Sequence, residues 1–197
     1  MAATAIGFRI KSGYAIAVVV AGPIKSPTVV ARRTVELSDP AIAETKQPYH
    51  DGFGAEHADP REVARRITII ERCAQRSVAS LIDDLRSAKA SAERARALRA
   101  ALVVGSVIDP QRVGNPHIRA HANEGRLFRT VVEEALRSHG VVCHVIVEKQ
   151  LAATAKSSLP LAERAIKETV QEFGKAIGGP WRADEKAAAT AAWLALA

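Results

Sequence analysis

Two short apolar runs rich in isoleucine, valine and alanine, Ala5 to Ile10 and Tyr14 to Val20, flank the tripeptide Lys11-Ser12-Gly13. β-Branched residues pack well on a pleated surface, and a short glycine-containing break joins antiparallel neighbours, so the pair is expected to form a hairpin. Pro27 to Leu37, after the turn sequence AGPIKS, reads as a third strand. The pattern then changes period. Val63, Ile67, Ile70, Ala74, Val78 and Leu81 recur at three-to-four spacing, which predicts an amphipathic helix with Asp59 as N-cap and Pro60 in its first position. A basic, alanine-rich connection follows, and then AALVVGSVI, a continuous apolar run that suits a strand buried on both faces. A second helix stops at Gly140 in LRSHG, and VVCHVIVEK reads as another buried strand. SLPLAERAIKETVQEFGKAIGG and ADEKAAATAAWLALA are two helices separated by GGPW. The order is strand, strand, strand, helix, strand, helix, strand, helix, helix. Three antiparallel strands followed by right-handed parallel crossovers give an α/β fold with one mixed five-stranded sheet flanked by helices.

Composition narrows the class. A chain of 197 residues can bury one substantial core, and no shift in composition divides it, so residues 1–197 are expected to form one domain. Hydrophobic residues at 48% and charged residues at 25% fit a globular protein, and no apolar run approaches the ~20 residues of a membrane span. The first ten residues carry no leader pattern, and Cys73 and Cys143 are too few for a disulfide framework, so a reducing cytoplasm without membrane association is expected. A net charge of +7 favours an acidic partner, nucleic acid first. Many arginines between Arg61 and Arg99 fall at helical spacing, where a solvated face explains them as well as a phosphate-binding stripe does. The few aromatic residues do not make a base-stacking platform, although binding to a duplex backbone needs none. No GxxxxGK[ST] sequence is present, which excludes an ordinary P-loop.

The order of elements resembles the ribonuclease H-like fold, and its second half resembles the Holliday junction resolvase RuvC group. The resemblance rests on the opening hairpin IGFRIKSGYAIAVVV, ALVVGSVI followed by the asparagine-containing turn RVGNP and a helix, the strand in CHVIVEKQLAATAK running into a lysine-bearing loop, and the closing helix ADEKAAATAAWLAL. It implies a site in which carboxylates hold two divalent metals for phosphodiester displacement. It also implies where those acids belong, and this chain departs at each place. The first follows a glycine and an apolar residue in strand one, where GFR puts Arg9; the second ends the fourth strand, at Gly105 or Ser106 here; the last opens the final helix, where the closest register gives Lys186. Asp109, Asp184 and Glu185 lie near enough to restore part of the site in a shifted register, yet Asp184 suits an N-cap and Asp109 a turn equally well. Arg9 is then either a phosphate-facing cation or the partner of an acid such as Glu148 or Asp184.

Two histidine-bearing stretches stand outside that scheme. With Asn115 as N-cap and Pro116 as first residue, NPHIRAHANE places His117, His121 and Glu124 at i, i+4 and i+7, within ~60° of one another on a helix. Such a face could bind a transition metal, but the preferred reading is of surface or phosphate-contacting residues near a helix N-terminus; Gly125 offers a place where the helix could break. QPYHDGFGAEHADP, in the long connection after the third strand, adds His50 and His57 and could fold back toward His117, or form a loop held by Tyr49 and Phe53. Cys143 and His144 are neighbours on a strand and point to opposite faces, which argues against a Cys/His catalytic pair.

The sequence therefore yields two candidate sets. Arg9, Lys11, Arg119, Lys149, Lys156 and Lys186 are candidates for nucleic-acid or phosphate contact, and His50, His57, His117, His121, Glu124 and Asp184 for a divalent metal. No organic cofactor is implied. The leading expectation is a RuvC-like protein without two-metal nuclease activity that binds nucleic acid or a protein partner through a basic surface. The alternatives are a metal-dependent nuclease or other hydrolase with a displaced site, and a structural protein whose charge is incidental. The alanine-rich closing helix is expected against its own sheet, with a homodimer contact as the other option.

Overall fold

The computed structural model of the chain describes residues 3–51, 55–87 and 98–197. Strands β1 (Thr4–Lys11), β2 (Tyr14–Ala21) and β3 (Thr28–Glu36) form an antiparallel meander. Two crossovers then add β6 (Arg99–Val104) and β7 (Val142–Val147), each parallel to its neighbour, to give the sheet order β3-β2-β1-β6-β7. The mixed five-stranded α/β sheet expected from the hydrophobic pattern is the one observed. A two-residue ribbon, β4 (His50–Asp51) with β5 (Ala55–Glu56), lies in the connection before helix α1 (Pro60–Ser87), and helix α2 (Pro116–Ser138) links β6 to β7.

Each face of the sheet carries a core. Ile6, Phe8 and Ile10 of β1 pack with Ile70, Val78 and Leu81 of α1 and Phe128, Val132 and Leu136 of α2. On the opposite face lie α3 (Glu148–Ser158), α4 (Glu163–Ile177) and α5 (Ala183–Ala195). Strand alternation turns Ala5, Gly7, Arg9 and Lys11 toward this second layer. A Cβ on Gly7 would lie 1.8 Å from the Ala188 carbonyl oxygen and 2.4 Å from the Ala192 nitrogen, so glycine in β1 and alanines in α5 together let helix and strand touch through their backbones. At the other end of this contact, Asp184 in the first turn of α5 meets Arg9 and Lys11. Trp193 is fully buried, donates its indole N–H to the Ile24 carbonyl at 2.9 Å and stands edge-on to Phe173 at 6.1 Å. The closing helix is thus buried on its own sheet.

Several local expectations need correction. EKQLAATAK is helix α3, not a loop, because alanine, leucine, glutamate, glutamine and lysine all favour helix and nothing breaks it before Leu159. Strand β6 ends at Val104, and Val107 and Ile108 are each 56% exposed in the turn that follows. Asp184 is not an N-cap: α5 follows Arg182, whose N–H is accepted by Glu185 Oε2 at 2.9 Å. Gly125 does not interrupt α2. Gly52, Phe53, Gly54 and most of the basic connection before β6 lie outside the described residues.

Candidate functional site

Parallel strands end together, so the carboxyl ends of β1, β6 and β7 define one edge where an α/β sheet commonly binds its ligands. Arg9 lies there, only 6% exposed. Its Nη2 donates to Glu148 Oε2 at 2.6 Å, its Nη1 donates to the Ile10 carbonyl at 3.2 Å, and its Nε lies 3.4 Å from Asp184 Oδ1. Lys11 Nζ is 3.4 Å from the same Asp184 oxygen. Glu148 starts α3 and Asp184 lies in the first turn of α5, so two helices aim acids at a cation fixed by β1. Both acids named from the sequence as partners of Arg9 are engaged. The pairs are half-open to water, with Glu148 at 49% and Asp184 at 30% side-chain exposure, which weakens their attraction relative to a dry interior. Beside them opens a cleft of about 300 Å³ lined by Arg9, Lys11, Ser12, Gly105, Ser106 and His121, among others.

The second cluster is assembled by two ribbon contacts. Arg66, buried on α1, donates from Nη1 to the carbonyls of Pro48 and His50, each at 3.3 Å, and from Nε to Glu62 at 3.1 Å. Arg119 on α2 grips Glu56 of β5 with Nη2 at 2.5 Å and Nε at 3.2 Å. These clamps bring His50 over the first turns of α2. There Asn115 caps the helix by accepting from the Ile118 N–H at 3.1 Å, and Pro116 takes the first position, which fixes His117, His121 and Glu124 on one face. The ring centroids of His50 and His121 are 4.4 Å apart, of His117 and His121 4.6 Å, and of His50 and His117 5.2 Å.

Beneath the rings Glu124 is 1% exposed. Its Oε1 lies 2.7 Å from His50 Nδ1, and its Oε2 lies 3.5 Å from His121 Nδ1. Burial pushes the Glu124 carboxyl above the usual carboxylate range, and the His50 hydrogen bond opposes that shift. Among the described residues, Glu124 Oε2 and His50 Nε2 are buried without hydrogen-bond partners. Such atoms cost about 1–3 kcal/mol each unless something else engages them.

Of the metal candidates, the fold brings together His50, His117, His121 and Glu124. His57 Nδ1 instead accepts from the Asp59 N–H at 3.1 Å, and Asp184 belongs to the Arg9 network. Of the phosphate candidates, Arg9, Lys11 and Arg119 are held by acids, whereas Lys149, Lys156 and Lys186 make no ion pair among the described residues. Arg66 and its brace Glu62 were not singled out from sequence. The available signal was Arg66 standing one helical turn before Ile70, on the buried stripe of α1.

Solved RuvC structures share this fold. RuvC from Thermus thermophilus superposes with a TM-score of 0.51 at 13% identity, over 97% of this chain and 92% of that one. The T. thermophilus RuvC complex with a Holliday junction substrate gives 0.50 at 13% identity, over 98% and 91%. The yeast mitochondrial Holliday junction resolvase Ydc2 gives 0.45 at 8% identity, over 98% and 75%. No protein-family model matches the sequence, and no curated protein matches it either. The fold is ribonuclease H-like, of the RuvC kind.

Proposed function

We propose that this chain is a nucleic-acid-binding protein on a RuvC-like fold that lacks a two-metal nuclease centre at the carboxyl edge of its sheet. The buried Arg9 carries this reading. A pair of hard divalent cations needs carboxylate oxygens converging on open space. Here Glu148 and Asp184 converge on a guanidinium at 2.6 and 3.4 Å, and Lys11 adds a second positive charge. The residues do not fit a metal pair, because an entering cation would meet the like charge of the Arg9 guanidinium. Gly105 and Ser106 offer no carboxylate beside them.

Nucleic-acid binding draws support from the net charge of +7 and from Lys149 and Lys156, both exposed on α3, the helix that Glu148 starts at that edge. RuvC has been solved with a Holliday junction, which makes branched DNA the first ligand to test. Fluorescence anisotropy of a labelled four-way DNA junction is expected to show affinity that falls steeply between about 50 and 200 mM salt. Binding should not require Mg²⁺, and Lys149→Glu with Lys156→Glu should weaken it. Absence of binding at low salt, or binding that requires Mg²⁺, would overturn the reading.

A further inference from the structure

We propose that His50, His117 and His121 bind one divalent transition-metal ion of the zinc class, with Glu124 as the outer carboxylate that orients His50. The site is separate from the nucleic-acid-binding reading and does not depend on it. One ring nitrogen from each histidine lies within 4.8 Å of the others. Zinc–nitrogen bonds of about 2.0–2.1 Å place tetrahedral ligands about 3.4 Å apart, so closing the set takes small side-chain rotations. His117 and His121 are exposed and free to make them.

The His50 ring is the anchor. Its Nδ1 is engaged by Glu124 at 2.7 Å, and an Nδ1 proton donated to that carboxylate leaves the lone pair on Nε2. That Nε2 is buried and has no hydrogen-bond partner among the described residues. A histidine held through one nitrogen by a carboxylate, with the other nitrogen open, is the arrangement that orients metal-ligating imidazoles. Glu124 also sets a buried carboxyl group against two of the three rings, 2.7 Å from His50 Nδ1 and 3.5 Å from His121 Nδ1. Three imidazoles select zinc, copper, nickel or cobalt over magnesium or calcium, which prefer oxygen. They also leave a fourth coordination position. His121 lines the cleft that carries Arg9 and Lys11, so this position falls to water or to an anionic group entering there.

The test uses the full-length, metal-free protein, titrated with Zn²⁺ against a chromophoric chelator and with Co²⁺ by visible absorption. One equivalent of each metal is expected to bind, and Co²⁺ should give the intense band of tetrahedral geometry. Glu124→Gln should weaken Zn²⁺ binding about 10–100-fold, and His117→Ala or His121→Ala should weaken it further. His144→Ala, an exposed histidine on β7, should leave affinity unchanged. His117 and His121 are surface residues, so their variants keep the fold, and unchanged thermal melting without metal checks this. Failure to bind one equivalent, or equal affinity in wild type and the His117→Ala/His121→Ala double variant, would overturn the proposal.

Discussion

Arg9 shows how much one side chain can settle. An arginine in a strand that is otherwise buried on both faces needs partners, and it finds two acids on two different helices. Removing it takes away the cation that Glu148 and Asp184 share, with Lys11 left on Asp184 alone, so Arg9→Ala is expected to lose about 1.5–3 kcal/mol in denaturant unfolding, the range for hydrogen bonds to charged groups. Arg9→Asp alone should not confer Mg²⁺-dependent cleavage, because Gly105, Ser106 and Lys186 remain; robust cleavage by that variant would count against the proposed role of Arg9. Glu62 braces Arg66, the side chain that holds the Pro48 and His50 carbonyls. Hydrogen bonds from Arg65 and Arg66 lower its carboxyl to about 2. Its folded value is depressed, so its contribution is present above the ordinary carboxylate range and is lost as pH falls from about 4 toward about 2. The stability gap between wild type and Glu62→Gln, followed by circular dichroism, should therefore close across that window. Both partners of Arg9 were legible in the sequence once the strand order was known. The anchoring of His50 by Arg66 was not, since no periodicity says which loop docks on a helix.

Among elements, α5 is the most revealing. Its alanine run allows a backbone contact with Gly7 and so sets the depth at which Asp184 reaches Arg9. Gly7→Ala would force a methyl into the Ala188 carbonyl and should cost about 3 kcal/mol or more by thermal or denaturant unfolding. Trp193→Ala, which empties a fully buried site beside Phe173, is expected to cost about 3–5 kcal/mol. The strands and the long helices were readable because hydrophobic periodicity is set by which face is buried. Helix α3 was missed because EKQLAATAK has helix propensity but little amphipathic pattern, and it follows a strand without a break. The β4–β5 ribbon escaped for a different reason: its two-residue strands are held by arginine clamps, Arg66 and Arg119, and not by a pattern of their own.

At the scale of the whole molecule, a RuvC-like sheet presents two polar centres to one neighbourhood, an arginine–carboxylate network and a histidine cluster, joined by a cleft to which both contribute. The fold was legible from element order alone, because three antiparallel strands followed by two parallel crossovers leave few topologies. The charge of each centre was not, since it depends on which acids and bases the packing brings into contact. The most direct measurement incubates one labelled four-way DNA junction with the protein in Mg²⁺ and then Mn²⁺, and runs each sample on native and denaturing gels. The expected result is a retarded complex whose strands remain intact. Strand cleavage by the wild type that Asp184→Asn abolishes would contradict the account, since it would show a working carboxylate metal centre where Arg9 stands.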